Sequence, residues 1–113
     1  MSGGANPAPN PAPNPARGES ALHVDGLALV VRPSFTALVA AEQEIGSLLA
    51  LAERAAEGRI LLREIEALLW HCLADRPEGL ARERLGAALL VLGLTGAVPV
   101  LRMILRQILS GAP

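Results

Sequence analysis

The spacing of apolar positions predicts a β-hairpin near the start of the chain. Two apolar runs, Ser20–Val24 and Leu27–Val31, flank the dipeptide Asp25-Gly26. Asp-Gly between such runs favours a two-residue type I′ turn, because both central residues of that turn have positive φ. The turn also sets the register, since the residues that flank it pair with each other and the pairing continues outward from there.

The two faces of this hairpin are predicted to have different environments, because successive side chains alternate between them. The inward face consists of Leu22, Val24, Leu27, Leu29 and Val31. The outward face carries Ala21, His23, Ala28, Val30 and Arg32. A lone hairpin is marginally stable in water, so we expect helices to cover the inward face. Ala28 and Val30 make the outward face unusually apolar, and it is a candidate contact with another chain through edge pairing.

Helical periodicity and capping residues predict five helices in the rest of the chain. They are Phe35–Ile45, Leu48–Glu57, Leu61–Ala74, Leu80–Leu92 and Ala97–Leu109. The predicted N-caps are Ser34, Ser47 and Thr95, and the predicted C-terminal stops are Gly46, Gly58 and Gly93. Asp75 and Glu78 have the spacing of a capping box before the fourth helix.

Apolar stripes orient these helices and complete the predicted fold. Phe35 of the first helix and Leu61 of the third are expected to face the core, whereas Glu64 is placed on a solvated side. The fold class is therefore α+β, with an N-terminal β-hairpin packed on a bundle of about four to five short α-helices.

Residues 1–17 differ in composition from everything that follows. They contain the tetrad Asn-Pro-Ala-Pro twice from Asn6, and a partial third copy begins at Asn14. Such a stretch has too few large apolar side chains to offset the entropy lost on ordering, so a disordered Pro-rich tail is predicted. The stretch itself has neither the basic region nor the apolar region of a signal peptide, so it is not expected to be one. The domain organisation is thus a tail over 1–17 and a single small domain over 18–110.

The chain as a whole, even with its Pro-rich stretch included, is more apolar than the core of a small soluble domain requires. Hydrophobic residues make up 51% of the sequence, mean hydropathy is +0.39, and net charge is −1. This balance argues against non-specific binding to nucleic acid, which usually requires a basic surface. Seventeen residues, Leu85–Leu101, carry no charge. A membrane span needs about 20 apolar residues, and Gly93 and Pro99 interrupt this run, so two helices with a protein interface are favoured over a membrane segment.

The last predicted helix is apolar almost all round, which indicates burial on several sides. Val98, Leu101, Leu105, Ile108 and Leu109 are assigned to the core. Val100, Met103 and Ile104 are then expected on the outer surface, where they would bind a partner. Arg102 and Arg106 would orient that partner by pairing with its acidic groups. A simple core helix is the competing interpretation.

Candidate catalytic chemistry is sparse. His71 and Cys72 are adjacent on a predicted helix and therefore point about 100° apart, so they cannot share a ligand face. Cys72 is the single cysteine, which excludes an intrachain disulfide and favours a buried thiol in a reducing cytoplasm. His23 has no carboxylate placed to orient it, and Trp70 alone cannot form a stacking platform for bases. We therefore expect no enzyme activity, no metal and no cofactor.

The order of several short motifs resembles the gene transfer agent family of small phage-type tail proteins. The matching segments include Asn14-Pro15-Ala16-Arg17-Gly18-Glu19, Val31-Arg32-Pro33-Ser34-Phe35, Ala55-Ala56-Glu57-Gly58 and Leu62-Arg63-Glu64-Ile65, and the turn from Gly93-Leu94 into the last helix. The similarity covers about residues 14–109. Its specificity rests on the order of the motifs, because each of them is short.

The resemblance implies a role in building a phage-type tail. Family members are classed as tail assembly chaperones or as tail tube proteins, and they have no catalytic residues to carry over. A tail assembly chaperone is expected to bind the tape-measure protein and tail-tube subunits in the host cytoplasm and to self-associate. A structural tail-tube subunit is the alternative, and a small phage membrane protein is a third and weaker one.

Overall fold

A computed structural model describes residues 13–14, 19–24 and 26–110. Its elements are β1 (Ser20–Val24), β2 (Leu27–Val31), α1 (Phe35–Ile45), α2 (Leu48–Ala56), α3 (Leu62–Cys72), β3 (Leu73–Ala74) and α4 (Arg82–Ser110). The predicted α+β class is confirmed. Most of the predicted tail lies outside the described residues, as does Asp25 of the predicted turn.

The hairpin has the predicted strands and register. β1 and β2 pair antiparallel, with Val24 opposite Leu27 and Ser20 opposite Val31. Gly26 has φ of 79°, a backbone conformation that glycine adopts without steric cost. Of the predicted inward face, only Leu27, at the end of the hairpin, is exposed (42%).

A third strand, which the sequence pattern does not predict, extends this sheet. The expected helix to Ala74 ends at Cys72, because Leu73 takes extended backbone angles, and β3 pairs antiparallel with β2. The backbone N–H of Arg32 donates to the carbonyl of Cys72 at 2.7 Å. The new strand places Ala74 opposite Val30. Val30 alternates with Leu29 and Val31 along β2 and is nevertheless 6% exposed, so the prediction that it is open to solvent was wrong.

The first two helices begin where their serine caps predict. Ser34 Oγ accepts a hydrogen bond from the N–H of Ala37 at 3.2 Å, and Ser47 Oγ accepts one from Ala50 at 3.1 Å. Each bond satisfies an N–H that has no partner inside the helix. Phe35 is 83% exposed, so the prediction that it faces the core was wrong. As the first residue of α1, it has no preceding turn of that helix to pack against.

α3 begins at Leu62 without a small polar cap, and the side chain of Glu64 instead accepts a backbone N–H at the start of the helix. Its carboxylate accepts the N–H of Leu61 at 2.8 Å and two guanidinium bonds from Arg54 at 2.9 and 2.6 Å. Arg54 is also the main reason why the pKa of Glu64 is lowered. Glu64 is only 5% exposed, which corrects the prediction of a solvated position, while Leu61, predicted inward, is 48% exposed.

The start of α4 lies two residues later than predicted. Asp75 (φ 52°) and Gly79 (φ 86°) take positive φ values, so the chain keeps turning until the helix begins at Arg82. The predicted capping box of Asp75 and Glu78 therefore does not start this helix.

A single residue divides α4 into two parts. Gly93 has φ of 81° and ψ of 156°, which are not helical angles, so the element consists of a first half (82–92) and a second half (94–110). The second half begins directly after Gly93 rather than at Ala97, so the predicted role of Thr95 as its cap is not confirmed. Pro99 lies inside this half of the helix.

The core lies between the sheet and the four helices. Its residues are Leu22, Val24, Leu29, Val31, Ala41, Leu48, Leu51, Ile65, Leu68, Leu69, Cys72, Leu73, Leu85, Leu89, Ala97, Val100, Leu101 and Ile104. Both halves of α4 contribute to it, so the long C-terminal element is an integral part of the domain.

Candidate interaction surface

The structure divides the seven residues that the sequence proposed as partner contacts into two groups. Val30, Val100 and Ile104 are buried, at 6%, 7% and 0% exposure. Ala28, Arg102 and Arg106 are exposed, and Met103 is half-buried. The expectation that Val100 and Ile104 lie on the outer surface was wrong.

The reason for that error is the rotation of the last helix about its axis. The stripe that faces the core is Ala97, Val100, Leu101 and Ile104, spaced as i, i+3, i+4 and i+7. The stripe expected from the sequence is shifted around the helix, and Leu109 from it is 57% exposed. Because most faces of this helix are apolar, periodicity alone could not select the face that packs.

One exposed apolar surface lies on the first half of α4 and at the start of α3. Leu90 is 73% exposed and Val91 90%, while Leu61 and Leu62 are 48% and 47% exposed. Contiguous patches of this kind on a small protein mark sites of contact with other molecules. The sequence pattern did not single out these positions, although the unbroken apolar run from Ala87 to Leu92 is longer than one helix stripe can bury.

Leu61, Leu62 and Leu90 line a groove between α3 and α4, which we call the α3–α4 groove, whereas Val91 lies outside it, beside Ala87 and Leu92. Its volume is about 660 Å³, and it is lined by Leu61, Leu62, Arg63, Glu66, Gly86, Leu89 and Leu90. Leu89 is only 2% exposed, so it belongs to the core and contributes to the groove wall at the same time. The two polar members are Arg63 and Glu66, both from α3.

A network of charged side chains beside this groove joins α1, α3 and α4. Arg82 donates to Glu66 at 2.9 Å and to Glu44 at 2.8 and 2.6 Å. His71 Nε2 lies 2.7 Å from a carboxylate oxygen of Glu44. The pKa of Glu44 falls to about 2, chiefly because Arg82 and then His71 hydrogen-bond its carboxylate. The network therefore fixes the start of α4 against the other two helices.

A second apolar surface surrounds Phe35, and we call it the Phe35 patch. A cavity of about 390 Å³ is lined there by Phe35, Leu38, Val39, Glu42, Leu48, Leu49, Gln107 and Ile108. Phe35 is 83% and Leu49 57% exposed. This lining comes from α1, α2 and the second half of α4, so it is distinct from the α3–α4 groove.

The residues with catalytic potential are not brought together. Cys72 is 1% exposed, and burial raises the pKa of its thiol to about 12, so the prediction of a buried core cysteine is confirmed. His23 is exposed on β1 as predicted. In the described part of the chain, no group of three or more His, Cys, Asp or Glu side chains could hold a metal ion.

Within the described residues, one helix meets by itself the length and composition expected of a membrane span, and α1 and α2, bent by 79°, meet them only when taken together. The single helix is α4, whose most apolar 18-residue window has a mean hydropathy of 2.1 and is 28% buried within the molecule. The break at Gly93 divides it, and six of its residues lie in the core. Core helices of soluble proteins meet the same criteria, so this is weak evidence for a membrane segment.

Exposed aliphatic grooves without clustered catalytic groups are typical of a protein that acts by binding other chains. The sequence model of the phage tail tube protein family GTA-gp10 matches residues 17–111. The chain belongs to this family, which confirms the resemblance to gene transfer agent tail proteins and establishes a phage-tail-related function. No curated protein and no solved structure matches the chain. The family is a structural one, which is consistent with the expectation of a non-enzyme.

Proposed function

We propose that the protein is a tail assembly chaperone that binds the tape-measure protein and tail-tube subunits in the host cytoplasm. The observation that carries this proposal is the exposed aliphatic surface on the first half of α4, above all Leu90 and Val91. A small domain with such side chains in water gains from covering them with a partner. A protein that escorts other chains needs an accessible surface of this type and does not need a catalytic pocket.

The presence of two separate apolar surfaces supports a factor with two kinds of partner. The α3–α4 groove and the Phe35 patch draw on different helices and share no lining residue. One surface can therefore hold the tape-measure protein while the other holds a tail-tube subunit or a second copy of the chain. Arg102 and Arg106 remain candidates for pairing with acidic groups of such partners, because both are exposed.

A structural tail-tube subunit is the second candidate, and the description of the family favours it. In that case the same apolar surfaces would be covered permanently by neighbouring copies in a ring or tube. The two functions differ in what remains in the finished particle, since a chaperone is released and a subunit is retained.

The test is to co-express the protein with the tape-measure protein and to analyse both the cell extract and the mature tails. The chaperone proposal predicts a soluble complex with the tape-measure protein in the extract and no detectable copy in purified tails. Quantitative mass spectrometry of the tails measures this. Abundance in mature tails, or rings and tubes formed by the purified protein alone, would show that it is a tube subunit.

A further inference from the structure

We propose that the α3–α4 groove is a docking site for an amphipathic α-helix of a partner protein, with an aliphatic stripe flanked by an acidic and a basic side chain. This inference rests on the proposed function in one respect, because the helix would belong to a tail protein. It concerns the chemistry of the ligand, and it can therefore be tested separately from the identity of the partner.

The shape and lining of the groove fit a helix. Two helices form its walls, and four leucines line it: Leu61, Leu62, Leu89 and Leu90. No residue of the β-sheet contributes to the lining, so a partner strand would find no sheet edge there to pair with. An amphipathic helix inserts side chains at i, i+3, i+4 and i+7 into grooves of this kind.

Gly86 provides a second observation, independent of the apolar lining. It lies inside the first half of α4, where glycine is less favourable than alanine by about 1 kcal/mol. A Cβ atom at this position would meet nothing within 4 Å, so packing inside the described molecule does not require a glycine. Gly86 lines the groove, and its missing side chain leaves room there for a side chain of a docked helix.

The charged residues around the groove indicate which charged side chains the docked helix carries beside its aliphatic stripe. Arg63 lines the groove and, within the described ranges, forms no ion pair, although its charge helps to lower the pKa of Glu64. Glu66, the other charged member of the lining, is bound by Arg82. A docked helix would therefore place an acidic side chain opposite Arg63.

A cavity that adjoins the groove favours a basic side chain of the ligand, in contrast to the acidic one expected opposite Arg63. It shares Glu66 and Gly86 with the groove and is completed by Arg82 and Glu83. Arg82 is already bound by two carboxylates, and among the described residues Glu83 forms no ion pair, so its negative charge is available to a ligand at this side. The ligand would place a basic side chain here, so the two charges together set the direction of the docked helix.

The experiment uses the full chain and synthetic fluorescein-labelled peptides of about 20 residues, long enough to form a helix on the surface. The first peptide has leucines at i, i+3, i+4 and i+7, a glutamate at one end of the stripe and a lysine at the other. The second has the same composition with the leucines scattered around the helix. The third has lysine at both ends. Fluorescence anisotropy measures each dissociation constant.

We expect the first peptide to bind best to the wild-type protein. Leu90→Glu and Gly86→Leu should each weaken its binding about tenfold or more, because the first places a charge in the groove and the second fills it with a side chain. Leu109→Glu, at an exposed leucine outside the groove lining, is the matched control and should leave binding unchanged. Arg63→Glu should reverse the preference, with the third peptide binding about 2–5-fold more tightly than the first.

Several outcomes would overturn the inference. The first is equal binding of the first two peptides, and the second is unchanged peptide binding by both groove variants. The third is that Leu90→Glu dissociates a dimer of the protein, as measured by light scattering, and leaves peptide binding unchanged. The last would show that a second copy of the chain occupies the groove. If the groove binds the first peptide but the tape-measure protein does not copurify, the proposed function fails and the groove stands. If the tape-measure protein copurifies equally with the Leu90→Glu variant, the groove fails and the function stands.

Discussion

Ile104 and Leu90 are aliphatic side chains of the same element, yet one is 0% and the other 73% exposed. Replacing Ile104 by alanine removes buried methyl groups and leaves a cavity, so the free energy of unfolding should fall by about 2–5 kcal/mol. Leu90→Ala is the matched control and should change stability by less than about 0.5 kcal/mol. Urea denaturation followed by circular dichroism measures both. Equal effects would show that the second half of α4 is not packed on the core.

The Glu44 carboxylate gives the stability a defined dependence on pH. Its pKa in the folded protein is about 2, against an ordinary value of 4.5. Because the folded pKa is the lower one, its contribution is complete above about pH 4.5 and is lost as the pH falls towards 2. The side chain is 39% exposed, so solvent screening limits the contribution to about 1 kcal/mol or less.

Glu44→Gln should therefore be less stable than the wild type at pH 7, and the difference should vanish near pH 2. Urea midpoints at pH 7, 4.5 and 2.5 measure it. Other carboxylates, including Glu64, titrate in both proteins, so the difference between them isolates Glu44. Glu53→Gln, on the exposed side of α2, is the control. A constant difference across this pH range would contradict the assigned role of Arg82 and His71.

At the scale of elements, Gly93 determines how α4 is divided. Its φ of 81° and ψ of 156° are accessible to glycine and strained for other residues, by about 1–3 kcal/mol. A Cβ at Gly93 would meet nothing within 4 Å, so the expected cost of Gly93→Ala lies in the backbone and not in a clash. We expect this variant to be destabilised by about that amount.

Gly86→Ala is the matched control for Gly93→Ala. The substitution and the helix are the same, and the new methyl group also meets open space, but Gly86 does not have positive φ. It should therefore stabilise the protein by about 0.5–1 kcal/mol. Opposite signs in urea denaturation would confirm that backbone conformation separates the two sites. Stabilisation by both changes would mean that α4 is continuous in solution.

Local chemical signals predicted the elements of this fold well, because each depends on neighbouring residues. The dipeptide Asp25-Gly26 predicted the hairpin register, and Ser34 and Ser47 predicted the starts of two helices. β3 was not predicted because two residues are too few to show the alternation of apolar and polar positions typical of a strand. Its formation depends on pairing with β2. The burial of Glu64 was missed for a similar reason, since its partner Arg54 belongs to another helix.

At the scale of the molecule, the family and the apolar excess could be predicted from the sequence, but the position of the surface could not. The excess was assigned to the last two predicted helices and the partner surface to the last one, whereas the structure also exposes apolar side chains on the first half of α4, at the start of α3 and around Phe35. Helices that are apolar on most faces have no unique orientation in a sequence pattern. Contacts with the sheet and with α3 select the buried face, and these contacts exist only in the assembled fold.

The same distribution of apolar surface leads to a prediction about membranes. The longer half of α4, residues 94–110, would extend about 26 Å as a helix, which is less than the roughly 30 Å of a hydrocarbon core. Arg102 and Arg106 lie within this half, and each would cost about 2.5–3.5 kcal/mol near the centre of a bilayer.

We therefore expect the expressed protein to stay in the supernatant after carbonate treatment of cell membranes. Gly93→Ala is the informative variant, because a continuous α4 would gain the length to span while retaining both arginines. It should remain extractable by carbonate, as the wild type does. Retention of the wild type in the carbonate-washed pellet would instead identify α4 as a membrane segment, and the exposed leucines would then be lipid contacts rather than a surface for tail proteins.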